Sequence, residues 1–519
     1  MILSDIPILS MIVFTPLAGS LIVMFCRRRE WIQYVSLATA VVSFGLTLIP
    51  VFAFRSDLGG FQLEEYLVWI KGFGISYHLG VDGLSLFLLP LTGFLTVAAV
   101  LVSWNHVGKK EKLYYITFLI LETGMLGVFV SLDTFLFYVF WEAMLIPMFL
   151  IIGIWGSKNR WYAAIKFLIY TIAGSVFMLA AVIVIAVINQ KATGSVSFDL
   201  TDWLALEISS KAQIWLFIAF FVAFAIKVPV VPFHTWLPDA HVEAPTAGSV
   251  LLAGILLKMG IYGMLRFCYP LFPAAVIVFT PWIIILGLVG VIYGAFLAFA
   301  QRDVKRLIAY SSISHMGLIV VGIFALNLTG IKGGIIQMVN HGLSTGALFI
   351  LAGAIYERKG TRDLDKLGGL AGKVPVMATF FMIIVLSSIG LPGMNGFVGE
   401  LLLLLGALRY SWWAGALGAT TVVFSAIYML WMYQRIMFET ERSPTDESVS
   451  DFSLREKLVM TSIVLFVFVI GLYPAFFLKR MNSTAGRILS ALQKPAAPYA
   501  MILQTDAGEK DNVFQHPGR

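Results

Sequence analysis

The 519-residue sequence has two cysteines, Cys26 and Cys268, which form no CxxC pair and sit near the ends of apolar runs. That spacing supports neither a disulfide framework nor an iron–sulfur or zinc site. Charge is equally scarce, with 13% of residues Asp, Glu, Lys or Arg, and seven histidines in all. There is no GxGxxG opening a helix after a strand, no Walker A loop and no histidine pairing set out for haem. The chain therefore reads as one that moves charge and does no redox chemistry itself, with no cofactor or metal of its own.

What it has instead is hydrocarbon. Hydrophobic residues make up 59% of the chain and its mean hydropathy is +0.89. Apolar runs long enough to cross a hydrocarbon core of roughly 30 Å recur from end to end. Fourteen spans are expected, at roughly 7–26, 31–54, 81–103, 113–131, 134–156, 162–188, 213–232, 245–267, 276–300, 307–326, 333–356, 374–408, 412–433 and 458–478. This predicts an all-α polytopic membrane protein, divided into an N-terminal three-helix segment (1–112), two repeats (113–267 and 276–437), a loop with a last helix (438–478) and a loosely ordered polar tail (479–519).

The first segment carries Asp5 and no basic residue before its apolar run, which argues against a cleaved signal peptide. The net charge of +7 follows topology and forms no nucleic-acid patch. Alternate loops hold 20 and 6 Lys plus Arg, so the richer set is expected in the cytoplasm and both termini outside. An N-terminus without a presequence and the 519-residue length suit a bacterial inner membrane better than a mitochondrial one.

An ionisable group inside a span costs roughly 2.5–3.5 kcal/mol even on the lenient scale, so each one marks a functional hypothesis. Glu122, Glu142, Lys227, Lys258, His315, His341 and Glu400 pass that filter, whereas Lys166 and Arg266 lie near span ends and read as snorkelling anchors. Glu142 and Lys227 are the natural ion pair, either as a switch or as a static bridge. Pro229 and Pro232 follow Lys227 and should leave the carbonyls of Ala225 and Val228 without donors, opening a polar break at mid-membrane. GLPGMNGFVGE supplies a second break at Gly390 and Pro392, just before Glu400.

Glu142 to Lys227 and His315 to Glu400 are each 85 residues apart, and YTIAGSVFMLAA at Tyr170 resembles HGLSTGALFILA at His341. Spans 4–8 and 9–13 therefore read as two five-helix repeats, inverted because five is odd, with spans 7 and 12 broken. Separating Glu142 from Lys227 would favour release of the lysine proton toward Lys258, then His315 and His341, and finally Glu400. YSSISH (Tyr310–His315) and Asn340 are expected to hold connecting waters.

Residues 227–263, KVPVVPFHTWLPDAHVEAPTAGSVLLAGILLKMGIYG, resemble the signature of the antiporter-like membrane subunits of NADH:quinone oxidoreductase, respiratory complex I. ISYHLGVDGLSL, DTFLFYVFWEAMLIPMF, QRDVKRLIAYSSISHMG and GLPGMNGFVGE extend the similarity over about residues 75–435. Glu400 where the largest sibling usually has lysine, the short C-terminal end and the GVDGLSL form resemble the subunit M branch, called chain 4 in mitochondria. The resemblance implies proton translocation coupled to quinone reduction elsewhere. FMN, iron–sulfur clusters and quinone would lie in partner subunits, with antiporter-like siblings L and N, and lipids, as neighbours. It assigns the essential glutamate to Glu142, the pump lysine to Lys227, the connecting groups to Lys258, His315 and His341, and the exit acid to Glu400. Glu122 keeps two readings, hydration or a buried hydrogen bond. His234, Asp239 and His241, which as a cluster suggest a metal site, become proton-entry or packing groups. A multi-subunit sodium/proton antiporter or a membrane-bound hydrogenase shares the fold and stands as the alternative, and a passive scaffold as a third reading.

Overall fold

The computed structural model describes residues 6–105, 107–440 and 449–493. In hydrocarbon each backbone N–H and C=O must bond within its own segment, so the apolar runs become helices. α1 (Ile8–Phe25) and α2 (Arg29–Ala53) precede an antiparallel hairpin of β1 (Gln62–Ile70) and β2 (Ile75–Val81). Next come α3 (Leu88–Val102), α4 (Glu111–Val130), α5 (Thr134–Trp155), α6 (Arg160–Thr193) and α7 (Ser210–Lys227). α8 (Trp236–Glu243) leads to α9 (Thr246–Leu271), α10 (Pro273–Phe299), α11 (Val304–Ile323) and α12 (Leu328–Lys359). α13 (Pro375–Ser388), α14 (Asn395–Tyr410), α15 (Trp412–Met437), α16 (Leu454–Leu472) and α17 (Ala475–Ser490) complete the order.

Among the described residues, eleven helices are long and apolar enough to cross a membrane, α16 with the helix after it forms a pair bent by 68°, and α3 and α13 are shorter apolar helices. That is compatible with fourteen spans, and the chain is a multi-pass membrane protein. Both expected breaks exist, between α7 and α8 and between α13 and α14.

Burial sorts the helices. The apolar stretches of α9 and α12 are wholly enclosed by the bundle and that of α11 nearly so, whereas about two thirds of α2's faces outward. The centre is thus made of the helices that carry Lys258, His341 and His315. Small residues let them close up. A side chain on Gly317 of α11 would stand 2.6 Å from the carbonyl of Gly287 on α10, and one on Gly294 would stand 2.8 Å from the Ser314 amide.

Three parts differ from the sequence reading. The loop after α2 folds into the hairpin. α16 stops at Leu472, ahead of Pro474, and the tail that was expected to be loose from residue 479 continues as α17 through Ser490, with Phe477, Met481, Ala485 and Ile488 on one buried face. Residues 494–519 of that expected tail lie outside the described residues. Arg266 does not snorkel. It is buried and grips Asp82 with both terminal nitrogens, at 2.8 and 2.6 Å, while Arg487 of α17 reaches the same carboxylate at 3.3 Å. The Asp of the GVDGLSL stretch therefore ties α9 to the C-terminal helix, a bidentate geometry that a guanidinium provides and an ammonium does not.

The hairpin is held by charge. His78 Nδ1 lies 2.5 Å from Asp199 and its Nε2 3.2 Å from Glu64. Asp133, which caps α5 through the amides of Phe135 and Leu136, also accepts the Ser76 amide and hydroxyl at 2.9 Å. Burial opposes a charge on His78, but its two carboxylate partners outweigh that and raise its pKa above the ordinary value. Since the folded pKa exceeds the unfolded one, near 6.5, this contact contributes fully below about pH 6.5 and is lost as pH rises through the folded value. Hydrogen exchange of the β1–β2 amides, corrected for intrinsic rates, should therefore quicken on alkalinisation. His78→Ala should quicken it at low pH by roughly 10- to 100-fold, for a lost charged hydrogen bond of about 1.5–3 kcal/mol, and should remove the pH dependence.

Candidate functional site

α7 ends at Lys227 because Pro229 and Pro232 have no N–H to continue it. The backbone repairs part of the break. Val230 donates to the Ala225 carbonyl at 2.8 Å, and the Trp236 indole donates to that of Ile226 at 2.9 Å. Ala225 is thus not left open, as its position before Pro229 implied, because a wider turn supplies the donor.

Lys227 is buried and its ammonium has no hydrogen-bond partner among the described residues. It lies 5.1 Å from the ring centroid of Trp141 and 5.7 Å from that of Phe167. Aromatic faces attract a desolvated cation in this way. The expected ion pair with Glu142 is not formed, and Glu142 Oε1 is likewise buried without a donor. Glu142 stays within electrostatic reach of Lys227 without touching it, and the ammonium lies over the Trp141 ring.

α9 packs onto the break through Gly260, where a side chain would stand 2.7 Å from the Phe224 carbonyl. Two residues before it is Lys258, fully buried. Two π-helical turns, Leu252–Leu256 and Met264–Cys268, flank the intervening α-helical segment, the kind of irregularity that collects at functional sites. The Lys258 ammonium donates back to the carbonyl of Ala253 inside the first of these turns and lies 2.7 Å from His341 Nδ1 on α12.

From there the groups run on across the bundle. The rings of His341 and His315 have centroids 5.9 Å apart. His315 Nδ1 is 3.2 Å from Glu400 Oε1, although neither Glu400 oxygen has a well-aligned donor among the described residues. Tyr428 places its hydroxyl 3.5 Å from the other His315 nitrogen. Lys258, His341, His315 and Glu400 therefore form one buried line.

The second break shapes the end of that line. Gly390 has φ +73°, a left-handed conformation that strongly favours glycine, and its missing side chain is the space that Glu400 Oε2 occupies. Pro392 follows within the break. α14 then starts at Asn395, whose amide nitrogen reaches the Asn340 carbonyl at 3.2 Å and whose Oδ1 accepts from Ser387 at 2.6 Å. Ser344 bonds the same Ser387 hydroxyl at 2.7 Å, and Asn340 bonds Gln337 at 3.1 Å. This cluster holds the two half-helices against α12.

Several expected groups lie elsewhere. Glu122 accepts from Ser43 of α2 at 2.8 Å and its other oxygen has no donor, which fits the buried hydrogen bond. His234, Asp239 and His241 diverge: His234 meets the edge of Tyr293, Asp239 pairs with Lys166 at 2.7 Å and Arg306 at 3.2 Å, and His241 stacks on Phe349 with centroids 4.4 Å apart. Of the YSSISH hydroxyls, Ser311 and Ser312 donate to the Ile308 carbonyl and Ser314 to that of Val291.

Sequence reasoning missed three contributors. Lys305, counted among loop charges, is buried and donates to the Ala244 carbonyl at 2.9 Å, within electrostatic reach of His241. Asn395 was legible as a polar residue between two glycines in the second break. Tyr428 carries no signal among eighteen tyrosines.

Residues 131–427 match the family described as NADH:quinone oxidoreductase/Mrp antiporter, TM. The NADH-quinone oxidoreductase subunit M of Rhodobacter capsulatus is 42% identical over 516 residues, covering 96% of this chain and 99% of that one. The NADH-ubiquinone oxidoreductase chain 4 of Marchantia polymorpha is also 42% identical, covering 93% and 97%. A chain of respiratory complex I from Thermus thermophilus superposes with a TM-score of 0.85 at 32% identity, covering 93% and 99%. A chain of the Mrp complex from Dietzia sp. shares the fold, with a TM-score of 0.79 at 20% identity over 97% and 99%. The chain therefore belongs to the NADH:quinone oxidoreductase/Mrp antiporter family of membrane subunits, on the branch whose members are named subunit M or chain 4.

Proposed function

We propose that this chain translocates protons as an antiporter-like membrane subunit of NADH:quinone oxidoreductase, along Lys258, His341, His315 and Glu400. The observation that carries this reading is the buried succession of those four groups on neighbouring helices, whose last member rests against a helix break. Relatives that are 42% identical are named as subunits of that oxidoreductase, whereas the Mrp chain shares the fold at 20% identity, so the sodium/proton antiporter is the weaker reading.

Neutral imidazole both accepts and donates, so each histidine can take a proton on one nitrogen and release one from the other. The 5.9 Å between the ring centroids leaves a step that a bridging water or a ring rotation can cover. Lys227 acts as the gate. Over Trp141 its ammonium has no acceptor; drawn onto Glu142 it would hold its proton more firmly, and the exchange between these positions controls delivery toward Lys258. Glu122 supports α4 against α2, and His234 and His241 flank the entry side with Lys305. The redox groups, FMN, iron–sulfur clusters and quinone, belong to partner subunits. The neighbours in the membrane arm are its siblings L and N. The loops rich in Lys and Arg face the cytoplasm of a bacterial inner membrane, both termini are periplasmic, and residues 113–267 and 276–437 are the inverted repeats.

Complex assembled with His341→Ala and reconstituted into liposomes should pump protons at least ten-fold more slowly. Losing a buried, charge-assisted hydrogen bond costs about 1.5–3 kcal/mol, a factor of roughly 10 to 100. NADH oxidation by an artificial acceptor, which bypasses the membrane arm, should stay unchanged. Unimpaired pumping in that variant would remove His341 from the route.

Gly390→Ala should act through Glu400. Its left-handed backbone costs an L-residue about 1–2 kcal/mol, and the methyl group must displace the carboxylate from His315. Pumping should fall in a complex that still assembles, and the smaller Glu400→Asp side chain in the same background should recover part of it.

A further inference from the structure

α9 carries its two π-helical turns on either side of Lys258, at Leu252–Leu256 and Met264–Cys268. A π turn holds one residue more than the α-helix it interrupts and is rare, so something must keep it open. Lys258 does so at the first turn, by donating to the Ala253 carbonyl. At the second turn, three side chains of α9 reach out to three other parts of the fold. Tyr262 donates to the Phe129 carbonyl of α4 at 3.1 Å, and Tyr269 to that of Ile323 at the end of α11. Arg266, at the middle of the turn, bonds Asp82 through both terminal nitrogens, and its Nε donates to the Tyr262 hydroxyl at 3.1 Å. Of these three tethers only that of Arg266 is ionic, and both of its ends are buried. Asp82 is placed in turn from the outer face: the next amide, that of Gly83, donates to Thr484 of α17 at 2.9 Å, and Arg487 of α17 reaches the carboxylate.

We propose that Asp82 is a positioning residue for the proton line: through Arg266 it holds the second π turn open, and so sets the height and rotation at which α9 presents Lys258 to His341. This rests on Lys258 and His341 being proton carriers, as proposed above. Lys258, Tyr262 and Arg266 follow one another at intervals of four residues, which stacks them on one face of α9 and carries a change at the turn to Lys258. If the turn closed into α-helix, the segment between the two turns would shift by one residue, about 1.5 Å along the axis and roughly 100° around it. The 2.7 Å contact of Lys258 with His341 does not survive such a shift. Asp82 prevents it by satisfying a guanidinium that is otherwise a buried, uncompensated charge. Without that carboxylate, Arg266 is driven toward the cleft of about 250 Å³ that it lines together with Arg487, and the pull falls on the middle residue of the π turn.

The test uses the assembled complex with Asp82→Ala, its structure determined by electron cryomicroscopy beside the wild type, and both reconstituted into liposomes for proton pumping. The expected structure has α-helix at 264–268 and the Lys258 ammonium out of hydrogen-bond reach of His341. Pumping should fall by roughly 10²-fold, the effect of misplacing a reacting group by about 1 Å. What remains should follow the pH profile of Lys258→Ala and not that of the wild type, which a loss of stability alone would leave in place. An intact π turn with Lys258 still on His341 overturns the proposal. A displaced Lys258 with full pumping upholds the positioning and overturns the proton line instead. Should Asp82→Ala fail to assemble, Arg266→Lys, which keeps the charge but loses the two-pronged grip, must show the same displacement of Lys258.

Discussion

A lysine ammonium buried within a membrane-spanning bundle must find its partners inside the protein, and the centre of this fold follows from where Lys258 finds them. It donates to a carbonyl that a π-helical turn presents and to His341 on α12. That pairing requires α9 and α12 to be the innermost helices, wholly screened from lipid by the others. It also explains why irregular backbone is concentrated here. A π turn, two broken helices and a left-handed glycine all sit beside ionisable groups, where exposed carbonyls find use; on a lipid-facing helix they would be a cost without return.

The two breaks serve different ends. At Lys227 the chain repairs its hydrogen bonds through Val230 and Trp236 and leaves the ammonium over aromatic rings, so the charge is held by polarisable faces and not by a fixed acceptor. At Gly390 the backbone itself makes room for the Glu400 carboxylate, and Asn395 fastens the following half-helix to α12. The proposed path thus has two unlike ends, a cation over aromatic faces and a carboxylate lodged against Gly390 without a well-aligned donor. Away from the line, the charge clusters tie elements together. Arg266, Asp82 and Arg487 fix the outer ends of α9 and α17, and His78 with Asp199 fixes the hairpin.

Much of the site was legible because the bilayer makes charge conspicuous. Lys258, His315, His341 and Glu400 stood out for being ionisable in apolar runs, and the structure brings those four together. Pro229, Pro232 and Pro392 announced the breaks. What the pattern left open was pairing. Glu142 and Lys227 are complementary in sequence, yet the ammonium lies over the Trp141 ring without bonding the carboxylate. Arg266 resembled an anchor because nothing near it in sequence reveals Asp82, 184 residues away. α17 escaped notice since an amphipathic helix has low mean hydropathy, and a reading tuned to spans passes over it. Lys305 was hidden by its company, being one of several basic residues at a helix start that sorts inward only in three dimensions.

The central claim is that Lys258 and Glu400 are links of one proton line and not two separate routes. A double-mutant cycle on proton pumping by the reconstituted complex tests it most directly, using Lys258→Ala, Glu400→Gln and the pair together. If the line is single, the double variant pumps no worse than the poorer single variant. If the two losses multiply, the residues act independently and the account of one continuous line is wrong.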